Sequence, residues 1–389
     1  MHSFCLGRAG NLMRLSDQLH RSIESSQWMG WLNVHDSDSM VRCIPFNEYM
    51  NHCLYDEQAG YYKSGKVRIG KKGDFYTSSG IGSVMGEMTA DYAFSLAGVM
   101  EGCHDIIEWG GGTGELAGQL LDRWNSSQPE WAAQLKYWFI EDNPEHVAAA
   151  QNRLSAAAGS ITVNCLSSVE ALSCRWDKAL VIANELLDAF PVHRVVCQGG
   201  RLWELGVASD RQAGFCYCYM PFNSLAVAAS LEQSEIRLLE GQETEVNLAA
   251  CQWLAAASRQ IGAGWMILID YGDTADELTA PHRMKGTLLC YSGHRTHDNP
   301  FRHPGEEDLT AHVNFSSLLH QAGKLDMETL FYGSQQQFLL KQGIMTELAD
   351  HEATDPFSGA ARRNRSIREL LLGGMSETFK VLTLAKRDR

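Results

Sequence analysis

The chain of 389 residues is short of positive charge. Its 33 Lys and Arg stand against 47 Asp and Glu, a formal net charge of −14. A general nucleic-acid binder needs a clustered basic face against phosphates, so this balance argues against that class. It suits a basic, arginine- or lysine-bearing polypeptide partner, or it does no more than keep a cytoplasmic protein dissolved. The eleven cysteines lack a framework: no C-x-x-C occurs, and the nearest pair is Cys216 and Cys218. Neither a zinc ribbon nor a thioredoxin-type motif is therefore available, and most thiols read as small buried hydrophobes in a reducing compartment. No apolar run reaches the length of a membrane span, so no membrane partner is expected. The opening "MHSFCLGRAGNLMRLSDQLHRS" has basic residues but no apolar h-region, which excludes a secretory signal. An untargeted helix and a transit peptide both stay open there. The expected location is the cytoplasm, or the mitochondrial matrix in a eukaryote. Repeats and low-complexity segments are also missing.

What is present is an alternation of apolar runs with helical stretches, the pattern of a parallel sheet flanked by helices. "DIIEW" (105–109), "KYWFIE" (136–141), "SITVNCL" (160–166), "KALVIANE" (178–185) and "GWMILIDYG" (264–272) read as five strands in order. "KLDMETLFY" and "ETFKVLTLAKR" supply two more near the C-terminus. Between them lie helices such as "GELAGQLLDRW" (114–124) and the proline-started "PEHVAAAQNRL" (144–154). The stretch after the fourth strand, "RVVCQGGRLWELGVA" and "GFCYCYMPF", alternates apolar runs with glycine turns and reads as β-hairpins walling a pocket.

The first strand runs into "EWGGGTGEL", a glycine cluster from which a helix starts. A Walker A loop needs a lysine to reach terminal phosphates, and none follows. The dinucleotide pattern G-x-G-x-x-A is matched by Gly112, Gly114 and Ala117, with Glu141 placed as its ribose acid. The pattern E-x-G-x-G-x-G of S-adenosylmethionine sites is matched too, by Glu108, Gly110, Gly112 and Gly114. There an acid at the strand tip serves the methionine ammonium, the helix N-terminus favours its carboxylate, and Glu141 takes the ribose hydroxyls.

The fourth strand's end separates the two. "ANELLDAFPVHR" (183–194) sets Asn184 and Glu185 at the carboxyl edge of the sheet, with Asp188 a turn later. Hydride transfer has no use for such a cluster. A nitrogen-directed methyltransferase does: carboxylates and amide oxygens hold the nucleophile, balance its charge and aim a lone pair at the sulfonium methyl. The plainer alternative is that Glu185 and Asp188 only cap the next helix. The histidines between 282 and 312, including the H-x-x-H of "HRTH" (294–297), have no helix-borne cysteine or glutamate to complete a ligand set, so no metal is expected.

On these residues the chain resembles the MidA-like S-adenosylmethionine-dependent methyltransferases, a family that includes a mitochondrial complex I assembly factor methylating an arginine of a protein subunit. The resemblance runs from about Pro45 to the end. It rests on "FNEYMNHCLYDEQAGYY", "GKKGDFYTSS", "IIEWGGGTGELA", "ANELLDAFPVHR", "LIDYG", "GTLLCY", "GEEDLTAHVNFSSL" and "FKVLTLAKR" in that order. It implies an α/β class I methyltransferase (Rossmann-like) fold: a seven-stranded mixed sheet, its last strand antiparallel, with helices on both faces. Residues 1–100 would form an N-terminal helical lid region, 101–194 and 247–389 the cofactor-binding core, and 195–246 a β-rich insertion at the substrate cleft. It further implies a lid over the cofactor from Gly73, Asp74, Phe75, Thr77 and Ser78, where Ser79 and Gly80 replace the family's Pro-Glu. Cofactor contacts from Glu108, Gly110, Gly112, Gly114, Glu141, Ser167 and Asn184 are expected. Glu185 and Asp188 would be catalytic, and His193, Asp270, Tyr271, Asp308 and His312 would meet the substrate. The implied reaction is methyl transfer to an arginine nitrogen of a protein. A small-molecule acceptor, a scaffold with a structural cofactor site, and an NAD-dependent oxidoreductase remain the rivals, and a homodimer is compatible.

Overall fold

Apolar residues at helical spacing bury Leu15, Leu19 and Ile23 on one side of the helix Leu15–Ser25. The strands β1 (Met29–Trp31) and β2 (Met40–Pro45) follow, then the helices Phe46–Tyr55 and Val84–Ala97. This computed structural model describes residues 14–388 except 64–81, 99, 211, 294, 350–354 and 356.

The core sheet is built from β3 (Asp105–Trp109), β4 (Lys136–Ile140), β5 (Thr162–Leu166) and β6 (Trp176–Asn184). It is completed, after an insertion, by β11 (Ile261–Asp273), β16 (Glu328–Ser334) and β17 (Phe379–Lys386). Its order is β16-β17-β11-β6-β3-β4-β5, with β17 antiparallel to both neighbours and β11, β6, β3, β4 and β5 mutually parallel. Strands buried on both faces need apolar side chains in both directions, and these have them. In β6, Leu180 and Ile182 pack into one core while Val181 and Ala183 pack into the other. In β11, Trp265 and Ile267 alternate in the same way with Met266 and Leu268.

The register decides where the strands end. Trp109 is level with Ile140 and with Ala183, Ile140 with Leu166, and Asn184 with Ile269. The residues that follow each strand therefore emerge side by side along one edge of the sheet, the edge where ligands of open α/β folds sit.

The insertion carries β7 (His193–Gln198), β8 (Arg201–Asp210), β9 (Gly214–Pro221) and β10 (Glu243–Val246), with a helix, Leu225–Gln233, before the last. Gly199 and Gly200, both at positive φ, make the two-residue turn between β7 and β8. The sheet they form has the order β10-β7-β8-β2-β1-β9, with β8 also paired to β9. So the N-terminal region expected to be helical lends two strands, and β2, β1, β9 and β8 close into a ring. A further small sheet joins β12 (Leu289–Ser292), β13 (Arg295–His297) and β14 (Asp308–Thr310), and β15 (Val313–Asn314) pairs with the end of β11.

One buried cation ties these pieces together. Arg194 on β7 donates from Nε to Glu245 Oε1 at 3.2 Å, and from Nη2 to Glu243 Oε2 at 2.7 Å and the Lys285 carbonyl at 3.0 Å. Its Nη1 donates to the Tyr217 hydroxyl at 2.6 Å, and its guanidinium carbon lies 5.7 Å from the Phe46 ring centre. Removing one partner of a buried pair leaves an uncompensated charge, which costs more than the pair itself contributes. Arg194→Met should therefore lower unfolding free energy by about 3–5 kcal/mol in urea denaturation. A loss below about 1 kcal/mol would show the two glutamates to be hydrated, as at a surface pair.

Candidate functional site

Along the carboxyl edge of the core sheet lies a cleft of about 350 Å³, a volume in the range of small-molecule sites. Its floor is the glycine loop. Gly110 and Gly112 have φ of +74° and +55°, a region that side-chain-bearing residues rarely adopt. A Cβ on Gly111 would collide with the ring of Phe139 in β4, so the loop can lie this close to β4 only without side chains. Gly114 also has positive φ, but it caps the helix Glu115–Ser127 and is not among the residues lining the cleft.

Two carboxylates stand at the first two strand tips. Glu108 is buried in β3 and accepts the Tyr137 hydroxyl at 2.8 Å. Burial pushes its carboxyl up to about 8; the tyrosine opposes this and the Glu141 charge adds to it. Glu141, following β4, is held rigid: Oε2 accepts the Gly112 amide and Oε1 the Asn143 amide, both at 2.8 Å. Asn143 in turn caps the helix Pro144–Ala157 through its Oδ1. Its Nδ2 and the indole Nε1 of Trp253 are buried donors without a hydrogen-bond partner among the described residues, and both residues line the cleft. Trp109, Leu172, Phe190 and Ser168 complete the wall.

The fourth strand tip supplies Asn184 and Glu185, both on the cleft. Glu185 has φ +51°, a strained value for glutamate, and its amide donates to the Ile269 carbonyl at 2.9 Å. Asn184 Nδ2 donates to Glu185 Oε1 at 3.2 Å. Asp270 holds the next residues. Its Oδ2 accepts the amides of Leu187 at 2.7 Å and Leu186 at 3.1 Å, and its Oδ1 accepts that of Tyr271 at 2.8 Å. The resemblance sets Asp270 against the substrate, yet it is 1% exposed and turned to the backbone. Burial still pushes its carboxyl up to about 7.

Asp188 lies behind the cleft lining, buried with Asp270 and Asp308 close enough that burial and both charges hold its proton well above the usual carboxylate range. Asp308 accepts the Tyr62 hydroxyl at 2.9 and 3.0 Å on its two oxygens. Tyr62 stacks on Tyr55, whose hydroxyl donates to the Ala189 carbonyl at 3.0 Å, and both rings line the cleft.

The remaining expected residues are placed elsewhere. Ser167 caps the short helix Ser168–Ala171 in a capping box with Glu170, and it is the next residue, Ser168, that lines the cleft. His193 starts β7, in the other sheet, with Nδ1 2.6 Å from Glu204 Oε1. Tyr271 packs on Phe379 and its hydroxyl reaches Met375 Sδ at 3.3 Å. His312 stacks over Tyr271, and burial pushes its imidazole down to about 4. Neither lines the cleft. Gly73, Asp74, Phe75, Thr77 and Ser78 lie outside the described residues. Sequence reasoning missed Tyr55, Tyr62, Asn143, His146, Phe190 and Trp253 as cleft residues. Only "DNP" before the Pro144 helix carried a readable signal, that of a helix cap. Among the described residues no group of three or more His, Cys, Asp or Glu is placed to hold a metal ion, and no helix is long and apolar enough to cross a membrane.

The arrangement fits S-adenosylmethionine better than a dinucleotide: a buried acid at the glycine loop, a fixed acid at the second tip, and polar residues at the fourth. Residues 92–333 match the family of S-adenosyl-L-methionine-dependent methyltransferases. A superfamily protein of Burkholderia thailandensis, crystallised bound to S-adenosyl-homocysteine, is 29% identical; it superimposes with a TM-score of 0.82, over 96% of this chain and 92% of that one. Mitochondrial protein arginine methyltransferase NDUFAF7 of Mus musculus is 26% identical over 89% of this chain and 82% of its own length. Its homolog of Drosophila melanogaster is 26% identical over 72% of this chain and 66% of its own length. By its sequence match, its seven-stranded sheet and its glycine-loop cleft, the chain belongs to the MidA-like family of S-adenosylmethionine-dependent methyltransferases.

Proposed function

We propose that the chain transfers a methyl group to a guanidinium nitrogen of an arginine in a protein. The observation that carries this reading is the charge of the substrate side. Glu185, Asp188, Asp270 and Asp308 gather behind the fourth and fifth strand tips, and Lys63 is the one lysine or arginine among the described lining residues. Burial and these neighbouring carboxyls hold Asp188 and Asp270 toward their protonated forms, and a cation on this side would favour their ionised forms. A planar guanidinium suits such a site because it can donate two charge-assisted hydrogen bonds to one carboxylate. The name carried by the mouse and fly relatives points to the same acceptor. We place the activity in the cytoplasm, or in the mitochondrial matrix in a eukaryote.

The cofactor, when bound, supplies an electrophilic methyl on a sulfonium. Glu108 would hold its ammonium, Glu141 its ribose hydroxyls, and the loop from Gly110 to Gly112 would lie against it. Glu185, steadied by Asn184, orients the guanidinium so that one nitrogen lone pair faces the cleft. Transfer of that methyl to the nitrogen would require one N–H proton to leave the guanidinium. Glu185, the carboxylate on the cleft, receives that proton, and Asp188 behind the lining favours a cation there once ionised. Tyr55 and Tyr62 close the cleft wall and keep water from the carboxylates.

Two outcomes test this. Glu185→Gln should cut turnover at least about 100-fold while leaving S-adenosylhomocysteine affinity within about threefold, because its role is in the transition state. An equal fall in both, by labelled-methyl assay and titration calorimetry, would contradict the assignment; the labelled lysate protein, read by mass spectrometry, must carry methylarginine. Glu108 gives the second. Its proton is held up to about 8 in the free protein, and an ammonium favours its ionised form, so cofactor binding near neutral pH must release a proton. Affinity should rise with pH and level off above about 8. Calorimetry in buffers of different ionisation enthalpy reads the release, and identical heats in all buffers would sink it.

A further inference from the structure

We infer that the outer face of the helix Gly359–Leu372 is a docking surface for an acidic, apolar-flanked segment of a protein partner. The helix buries Asn364, Ile367, Leu370 and Leu371 and turns Arg362, Arg365 and Arg368 to solvent. These three recur every third residue, so they form one row spanning about 9 Å of helix. None makes an ion pair with a described residue. Arg363, next in the chain to Arg362, is the contrast: its guanidinium is committed to Glu87 and Glu347. Glu369 stands beside the row but pairs with none of it. Like charges at this spacing repel by a few tenths of a kcal/mol per pair, so the row destabilises its own helix slightly.

That concentration is out of keeping with the rest of the chain, whose formal net charge is −14. A groove of about 600 Å³ runs along the row. Leu372, 80% exposed, lines its far end beyond Arg368, and Phe357, 74% exposed, stands outside the groove lining just before the helix. Arginines in a row suit carboxylates, each able to take two hydrogen bonds. The exposed leucine and phenylalanine ask for apolar side chains next to those carboxylates, which a peptide has and a phosphodiester backbone lacks. An acidic peptide brings a few local charges, whereas a nucleic acid would extend a continuous anion over an acidic molecule. The occupant is therefore a polypeptide segment with acidic residues between apolar ones. This surface is separate from the methyl-transfer cleft and does not depend on which acceptor that cleft takes.

The test is fluorescence anisotropy with the full chain and a short labelled peptide alternating glutamate and leucine. Comparison probes are its glutamine counterpart, a single-stranded thymidine oligonucleotide of matched charge, and phosphatidylserine vesicles. The acidic peptide should bind, more weakly as salt rises. The triple variant Arg362→Glu, Arg365→Glu, Arg368→Glu should lose at least about tenfold in affinity, with thermal midpoint and S-adenosylhomocysteine affinity unchanged. Leu372→Ser should weaken binding by a smaller factor. If the triple variant does not fold, Arg362→Gln with Arg368→Gln serves, and must weaken binding in the same direction. No binding at low salt overturns the inference. So does equal binding by the glutamine peptide or by the variants, or tighter binding of the oligonucleotide or the vesicles.

Discussion

The Asp270 carboxylate is the constraint on which the site depends. It sits at the tip of β11 and accepts backbone amides from Leu186 and Leu187, one strand across the sheet. Without it, a loop that turns through a glutamate at positive φ would keep several N–H groups unpaired in a buried place. The loop's carbonyls are tied as well: Asn247 Nδ2 reaches the Leu187 oxygen at 2.8 Å, the Ala311 amide reaches that of Asp188 at 3.0 Å, and Tyr55 reaches that of Ala189. Residues from separate parts of the chain therefore fix where Glu185 points. Such over-determination is what lets a strained backbone persist and what keeps a reacting group within a few tenths of an ångström of its place.

The acids of the cleft divide by their surroundings. Glu141 is surrounded by backbone donors and has its two oxygens occupied. Glu108 has one tyrosine hydroxyl and is otherwise desolvated, so its proton is retained until a cation arrives. Asp188 is desolvated beside two further carboxyls, with the same consequence on the substrate side. One residue type thus serves as a rigid hook in one place and as a proton-linked partner in two others. The order of the strands in the sheet, not any local motif, assigns which is which.

That division explains what can be read in advance. Central strands with apolar residues in both directions, such as "ALVIAN" and "WMILID", are legible because burial on both faces leaves no alternation. The glycine loop, Glu108, Glu141 and Glu185 are legible because strand tips of a parallel sheet converge, so position along a strand already gives position in the site. The direction of a side chain at a tip is not. Asp270 belongs to the expected strand end, but whether it faces solvent or a neighbour's amides depends on a loop one strand away. His193 follows the β6 loop in sequence and instead opens β7, where it faces Glu204. Ser167 and Ser168 differ only in which of them the helix start takes as its cap. The tyrosine pair escapes notice because Tyr55 and Tyr62 approach Asp308 only through the packing of the helix Phe46–Tyr55.

The ring formed by β2, β1, β9 and β8 sets a schedule for folding as well as a shape. During synthesis β1 and β2 leave the ribosome first, and their hydrogen-bonding partners on β8 and β9 emerge only after β3 to β6 have been made. For that interval the hairpin Met29–Pro45 has two open edges and nothing to pair with, the condition in which strands recruit foreign chains. The exposed Met40 within it and Trp28 just before it make the wait more hazardous. The long-range closure therefore places the slowest step of assembly in the second sheet, leaving the cofactor half free to form early from local β-α units.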